Sequence, residues 1–179
     1  MRLGVPKESR PNERRVAATP ESVKKLVELG FDVRIEHGAG AGSGYPDASY
    51  EAIGAALVSR EDAFACDVVV KVRPPTHEEA GLLAEGGLLI ALLQPERDEE
   101  LPGKIAERKA SAIALERIPR VTRAQKMDVL SSMANLAGYR AVVEAAQHYQ
   151  GFFGPQVTAA GTMPPARVLV IGAGVAGLA

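Results

Sequence analysis

The sequence predicts an α/β protein in which helices cover both faces of a parallel β-sheet. Short apolar runs alternate with segments of helical character along most of the chain, which is typical of a parallel sheet. The last apolar run, residues 168–171, leads into the glycine pattern Gly172-x-Gly174-x-x-Gly177. We therefore expect a three-layer domain of the flavodoxin or Rossmann type, followed by the first strand of a truncated Rossmann domain.

The composition restricts the classes of function. Of the 179 residues 46% are hydrophobic, and the formal net charge is −1, so no basic surface indicates a nucleic acid or an anionic membrane as partner. No apolar run approaches the roughly 18 residues that span a bilayer, and the N-terminus does not resemble a signal peptide. The single cysteine excludes an internal disulfide, and the three histidines have no metal-ligand spacing. We expect a cytoplasmic protein without a metal centre or membrane insertion.

The first strand and the first helix have clear boundaries. Arg2–Val5 is expected to be a strand, and the charged segment 6–15 that follows fits a solvated loop as well as a ligand-binding loop. Thr19 is a good N-cap, Pro20 suits the first helical position, and Gly30 is expected to end the helix.

The middle of the chain supplies the remaining strands of the predicted sheet. Strands are expected at residues 31–36, 67–72, 88–93 and 111–115. Three helices are expected between these strands. One has Asp47 as its N-cap, one begins with a capping box formed by Thr76 and Glu79, and one begins at residue 104. Lys71 falls at the carboxyl end of its strand, where open α/β sheets bind ligands, although a surface lysine there is equally ordinary.

Residues 116–127 interrupt this alternation with a polar segment of low apolar content. Its polar residues, with the aspartate that follows, are Arg117, Arg120, Arg123, Gln125 and Asp128. Arginine binds a pyrophosphate bidentately, and glutamine bonds a carboxamide. The pattern alone fits a solvated connection as well as a ligand loop.

The last third of the chain contains one long helix and a linker. Residues 131–148 form a helix with a stripe of small side chains that can lie close against another element, and residues 151–165 are rich in glycine and proline. We therefore divide the chain into an N-terminal α/β domain (1–130), a connecting helix and linker (131–165) and the start of a dinucleotide-binding domain (166–179).

Each glycine of the terminal pattern has a distinct physical role. Gly172 permits a tight turn, Gly174 lets the backbone approach a pyrophosphate, and Gly177 lets a helix pack close to the strand. The phosphates are expected at the free N–H groups of the helix N-terminus. The acidic ribose ligand, expected about 20 residues further on, would distinguish NAD from NADP but lies beyond residue 179. Without its sheet, the run 168–171 is expected to be disordered, docked on the first domain or paired with another molecule.

Several ordered blocks resemble one family. The blocks are Gly4-Val-Pro-Lys-Glu8, residues 12–20, residues 38–40, residues 70–72 and the terminal glycine pattern. Together they are similar to the alanine dehydrogenase and proton-translocating transhydrogenase family over essentially the whole chain. Residues 120–140 are more selective, because they resemble the mobile loop and following helix of the NAD(H)-binding component of transhydrogenases.

The resemblance implies a function for the longer protein. NAD(H) binds to this component, NADP(H) binds to a partner domain, and hydride passes directly between the two nicotinamides. A membrane domain or subunit couples the transfer to proton translocation. The family also implies a homodimer, located peripherally at an inner-membrane complex. Direct hydride transfer requires two rings held near contact and no acid or base, so positioning residues are expected rather than a catalytic histidine.

The resemblance also assigns site residues. The candidate catalytic residues, which position the nicotinamide, are Arg120, Gln125, Asp128 and Ser131. The candidate cofactor-binding residues are Arg120, Val121, Thr122, Gln125 and Asp128 in the loop, and Gly172, Gly174, Val175, Ala176 and Gly177 at the pyrophosphate.

Two alternatives to this function remain. In alanine dehydrogenases an arginine and a lysine hold pyruvate, and a histidine after the fourth strand handles the proton; Arg15 and Lys71 match the first two, but Gln94 stands at the histidine position. Because glutamine does not titrate, we interpret these three residues as a vestigial pocket and disfavour an alanine dehydrogenase-like oxidoreductase. The other alternative is that the chain alone is an inactive binding or dimerisation module with negligible affinity for NAD.

Overall fold

The chain folds as two units, Met1–Pro119 and Arg120–Ala179, in a computed structural model that describes residues 1–179. The first unit contains a six-stranded sheet, and the second contains a long helix and a two-stranded sheet. The domain boundaries expected at residues 130 and 165 stay a prediction.

Six parallel strands form the sheet of the first unit. They are β1 (Arg2–Val5), β2 (Asp32–Glu36), β3 (Ala56–Val58), β4 (Val68–Val70), β5 (Leu88–Ala91) and β6 (Ser111–Ala114). Their spatial order is β3-β2-β1-β4-β5-β6, with Leu3 opposite Val33 on one side and Val68 on the other. This is the strand order of the doubly wound Rossmann fold, so the predicted α/β class is confirmed.

Helices cover both faces of this sheet. They are α1 (Pro20–Glu28), α2 (Asp47–Glu51), α3 (Arg60–Phe64), α4 (His77–Gly81) and α5 (Leu101–Glu107). Val68 packs in one core with α1 and α2, and Val69 packs in another with α3, α4 and α5. Successive strand residues therefore enter different cores, because side chains alternate between the faces of a strand. The central strands are buried on both faces, as expected for a parallel sheet.

The structure confirms the predicted caps at Thr19 and Thr76 and corrects two other helix starts, since α5 begins at Leu101 rather than at residue 104. Thr19 accepts a hydrogen bond from the amide of Ser22, and Thr76 forms the full capping box with Glu79. Asp47, however, is the first residue of α2 rather than its cap. Its carboxylate accepts a hydrogen bond from the amide of Gly38 at 2.9 Å. The side chain therefore binds the preceding loop instead of capping the helix.

Two elements of the first unit are not evident in the sequence. The strand β3 and the helix α3 lie between the predicted helix at Asp47 and the predicted strand at residue 67. The strand is only three residues long and lies at the edge of the sheet, and the helix has five residues. Elements this short do not produce a recognisable hydrophobic period. The strand before Gln94 is consequently the fifth in chain order, not the fourth.

The second unit is built around α6 (Val129–His148). An antiparallel pair, β7 (Gln156–Thr158) and β8 (Gly161–Met163), occupies the segment that the sequence predicts as a linker. A Cβ atom at Gly138 would lie 2.0 Å from the carbonyl oxygen of Ala176, so the small-residue stripe of α6 packs directly on α7 (Val175–Leu178). No helix of the chain has both the length and the apolar character needed to cross a membrane.

Residues 168–171 do not form the predicted strand. No other strand of the described chain pairs with them, so the ladder that defines a strand is missing. They line an apolar groove beside α6 and remain largely exposed, with Ile171 at 92%. The three alternatives expected for this segment, namely disorder, docking on the first domain or pairing with another molecule, stay predictions.

We expect Gly4→Ala to destabilise the protein strongly. A Cβ atom at Gly4 would lie 1.8 Å from the backbone oxygen of Ala63, so β1 and α3 would have to separate. The cost should reach about 2–3 kcal/mol in the free energy of unfolding. Gly81→Ala in α4 is the matched control, because a Cβ atom there has no neighbour within 4 Å. Urea unfolding followed by circular dichroism measures both, and equal stability of the two variants would contradict the close approach.

Candidate functional site

The polar loop predicted from the sequence encloses a cavity in the second unit. Residues Thr122–Met127 form a 3₁₀ helix, a form with weaker hydrogen-bond geometry than an α-helix. The cavity has a volume of about 380 Å³ and is lined by Arg120, Val121, Thr122, Ala124, Gln125 and Asp128. The structure thus brings together all five loop residues that the sequence assigns to cofactor binding.

Two of these residues are available to a ligand. Arg120 and Gln125 are exposed, and neither side chain has a hydrogen-bond or ion-pair partner within the chain. A guanidinium offers five donors and binds planar or phosphate oxygens bidentately. The glutamine amide offers two donors and one acceptor, which is the pattern complementary to a carboxamide.

Asp128 and Ser131, in contrast, are bound to each other. Asp128 is the N-cap of α6, and its carboxylate accepts the Ser131 amide at 2.9 Å and the Ser131 hydroxyl at 2.7 Å. These two bonds, aided by the charge of Arg120, lower the pKa of Asp128. The carboxylate therefore stays ionised at neutral pH and fixed at the cavity wall. Ser131 does not line the cavity; it orients Asp128 from outside.

The terminal glycines form a turn with the expected local geometry. Gly172 has a φ of 108°, which favours glycine, and a Cβ atom at Gly177 would lie 2.1 Å from the oxygen of Gly172. A Cβ atom at Gly174 would have no neighbour within 4 Å. Val175 and Ala176 begin α7, which is a single turn of four residues.

Lys71 lies in a different environment, at the centre of the first unit. Its side chain is fully buried, with Nζ 3.3 Å from the Oε2 atom of Glu79 and 3.8 Å from the Oε2 atom of Glu8. The ammonium also lies 5.4 Å from the ring centroid of Phe64, within range of a cation–π interaction. This arrangement is a closed cluster of one cation and two carboxylates, and it leaves Lys71 no exposed surface.

The two carboxylates of the cluster differ in environment. Burial raises the pKa of Glu8 above its usual value. The charge of Lys71 and the hydrogen bonds from the amides of Val72 and Arg73 lower this pKa, but burial outweighs them. Burial also acts on Glu79, but the amide of Thr76 and the charge of Lys71 outweigh it, so the pKa of Glu79 is lowered. The carboxylate of Glu8 accepts the Val72 amide at 2.6 Å and the Arg73 amide at 3.2 Å. It therefore joins the loop after β1 to the end of β4.

The three residues of the expected vestigial pocket are held by separate partners. Arg15 is bound to Glu13, at 2.7 Å from Nε and 2.6 Å from the terminal nitrogen. Gln94 has a left-handed backbone with a φ of 48° and lines a cavity of about 310 Å³ to which neither Arg15 nor Lys71 contributes. Lys71 is enclosed with the carboxylates described above.

Sequence reasoning missed the acidic partners of these residues. Glu8 contacts amides 64 and 65 residues away, which no local pattern indicates. Glu79 belongs to a capping box that the sequence does show, but its second role as the partner of Lys71 depends on the packing of α4 against the end of β4. Glu13 binds Arg73 at 2.7 Å across 60 residues.

These features define the class of protein. It is an α/β protein of doubly wound strand order, followed by a unit with a dinucleotide-type glycine turn and a polar loop. The model of the family described as "Alanine dehydrogenase/PNT, N-terminal domain" matches residues 4–137, and that of its C-terminal domain matches residues 141–179. The chain belongs to the alanine dehydrogenase/PNT family.

Individual relatives favour the transhydrogenase branch. The chain is 46% identical over its whole length to the NAD(P) transhydrogenase subunit alpha of Haemophilus influenzae, of which it covers 35%. A crystal structure of transhydrogenase from Sinorhizobium meliloti superposes with a TM-score of 0.96 at 49% identity, covering 99% of this chain and 54% of that one. An L-alanine dehydrogenase structure superposes with a TM-score of 0.87 at 34% identity, covering 99% of this chain and 50% of that one. The chain thus spans between about a third and a half of the proteins it matches.

We expect Lys71→Met to destabilise the first unit by about 3–5 kcal/mol at neutral pH, because it leaves two buried carboxylates without their cation. Without the lysine the pKa of Glu8 rises further, and protonation then relieves the repulsion. The deficit should therefore shrink as the pH falls from about 7 to about 4.

Urea unfolding across this pH range measures the deficit. Lys25→Met is the matched control, because Lys25 forms an exposed pair with Glu21 and should change stability little at any pH. A Lys71→Met variant as stable as the control at neutral pH would show that the cluster does not hold the fold.

Proposed function

We propose that this chain is the NAD(H)-binding part of a proton-translocating NAD(P) transhydrogenase, in which hydride passes directly from NAD(H) to NADP(H) on a partner domain. The observation that carries the proposal is the cavity of the polar loop. Every loop residue assigned to the cofactor faces it, in a chain that is 46% identical over its full length to an NAD(P) transhydrogenase subunit alpha.

The residues of the cavity suit the positioning of a dihydronicotinamide. The free amide of Gln125 pairs with the nicotinamide carboxamide, and the free guanidinium of Arg120 binds the pyrophosphate or the carboxamide oxygen. Asp128, held by Ser131 at 2.9 Å and 2.7 Å, provides a fixed acceptor. Val121 and Thr122 complete the wall, and the turn Gly172–Gly177 supplies amides for the phosphates. NAD(H) contributes the hydride, and the chain's own residues orient it and exclude alternative ring positions.

The enclosure of Lys71 argues against pyruvate chemistry. A lysine that holds a keto acid must reach it, whereas this ammonium is surrounded by Glu8, Glu79 and Phe64. Gln94 has no titratable group to exchange a proton with a substrate. The first unit therefore serves as a scaffold in this proposal.

The remaining parts of the proposal concern the longer protein. The partners are an NADP(H)-binding domain and a membrane domain or subunit that couples hydride transfer to proton translocation. The NAD(H)-binding part acts as a homodimer at the cytoplasmic side of the inner membrane, without inserting into it. Its relatives carry the names of transhydrogenase subunits, which supports such an assembly.

We expect Arg120→Ala and Gln125→Ala each to slow hydride exchange between NADH and an NADP analogue by about tenfold or more, because misplaced rings lose the near-contact geometry. The measurement uses the full-length protein that contains this sequence, mixed with an NADP(H)-binding partner. Arg123→Ala is the matched control, because Arg123 belongs to the same 3₁₀ helix but does not line the cavity. No exchange by the wild-type mixture would refute the function; equal rates for all three variants would refute the site.

Asp128 allows its capping and its positioning roles to be separated. Asparagine caps helices as well as aspartate but carries no charge, so Asp128→Asn should keep the thermal unfolding midpoint and still slow hydride exchange. Asp128→Ala should lower both, because the bond to the Ser131 amide is lost. Wild-type exchange in Asp128→Asn would mean that this carboxylate only caps α6.

A further inference from the structure

We propose that the cavity of about 310 Å³ in the first unit binds a small oxyanion with two negative charges, a dicarboxylate or a phosphate. Its polar lining consists of Arg10, Asn12, Glu13, Arg73, Gln94 and Arg97. These residues follow β1, β4 and β5, at the carboxyl ends of neighbouring strands, where open α/β sheets bind ligands. The site does not depend on the proposed transhydrogenase function.

The charge of the lining favours a dianion. Three guanidinium groups and one carboxylate face the cavity, a formal net charge of +2. The carboxylate, Glu13, is also bound by Arg15 at 2.7 Å and 2.6 Å, and these bonds hold its pKa at about 2. Arg10 and Arg97 have no acidic partner in the chain, so their charges remain uncompensated at the cavity.

The backbone of the cavity is constrained at two non-glycine positions. Asn12 and Gln94 adopt left-handed conformations, with φ of 64° and 48°. Such conformations are strained for residues other than glycine and persist only where the surroundings enforce them. At Gln94 the carboxylate of Glu116 enforces it by accepting the amides of Leu93 and Gln94 at 3.1 Å and 2.5 Å. The cavity lining thus includes two side-chain amides, each with two donors, beside the arginines.

The size and position of the cavity limit the ligand further. A volume of about 310 Å³ is at the lower end of the range for small-molecule sites, which favours a phosphate group or a short dicarboxylate over a nucleotide. Arg15 and Lys71, the residues that resemble the pyruvate ligands of dehydrogenases, do not line it. The recognition is therefore different from that of a keto acid.

Titration of the 179-residue chain with inorganic phosphate, succinate and acetate tests the proposal. Amide NMR should show saturable changes at Arg10, Asn12, Arg73, Gln94 and Arg97 with phosphate or succinate, and at least about tenfold weaker binding of the monoanion acetate. The tighter of the two dianions identifies the ligand as a phosphate or a dicarboxylate. Unsaturated changes spread over all surface arginines, or equal binding of acetate, would overturn the proposal.

A charge-matched pair of variants adds an independent measurement. Arg10→Gln/Arg97→Gln should weaken binding of the dianion by about tenfold or more, because two charge-assisted contacts are lost. Lys24→Gln/Lys104→Gln removes the same charge from exposed Lys24 on α1 and half-buried Lys104 on α5, away from the cavity lining, and should change the dissociation constant by less than about twofold. Equal losses in the two variants would mean that only general surface charge attracts the anion. Arg10 and Arg97 are exposed and have no hydrogen-bonding partner for their side chains, so the double variant should retain the wild-type circular dichroism spectrum.

Discussion

The buried cluster of Lys71, Glu8 and Glu79 is the interaction on which the first unit depends. It joins the loop after β1, the end of β4 and the first turn of α4 at one point, through contacts of 3.3 Å and 3.8 Å. In a buried cluster of this kind each charge is tolerated only while its partners are present, since an unpaired ion would be costly to bury. The cluster therefore fixes the relative position of β1 and β4, the two strands at the centre of the sheet, and the other strands pair outward from these two.

The same cluster occupies the point of the Rossmann strand order at which a ligand commonly binds. Doubly wound sheets bind ligands where the strand order reverses, which here is between β1 and β4. In this chain the carboxylate of Glu8 accepts the amides of Val72 and Arg73 at that point. The carboxylate of Glu8 thus occupies the two backbone amides that could otherwise donate hydrogen bonds to an anionic ligand. Fold and function separate in this way because binding depends on the groups presented and not on the strand order.

How far the sequence predicts the structure depends on the range of the interactions involved. The strands around Val69 and Leu89 were predictable because their apolar runs are local, and the capping box at Thr76 is a pattern of four residues. The polar loop was also located, although its residue types alone fitted a solvated connection equally well and only the family resemblance assigned it to the cofactor. The contacts of Glu8 were not predictable, because they join residues more than sixty positions apart. The hairpin β7–β8 and the short strand β3 were missed because three-residue strands carry no reliable period.

The loop around Arg120 combines one fixed and two free polar groups, and this combination follows from its position next to a helix. Asp128 is immobilised because α6 needs a cap for its first amides, so the helix supplies an oriented carboxylate without further cost to a ligand. Arg120 and Gln125 precede the helix, Gln125 within the 3₁₀ segment and Arg120 just before it, and their side chains remain unpaired. A bound ligand must therefore order them and offset the lost rotamer entropy. In the proposed site, the fixed carboxylate would therefore orient a ligand, and the two free groups would have to be ordered around it.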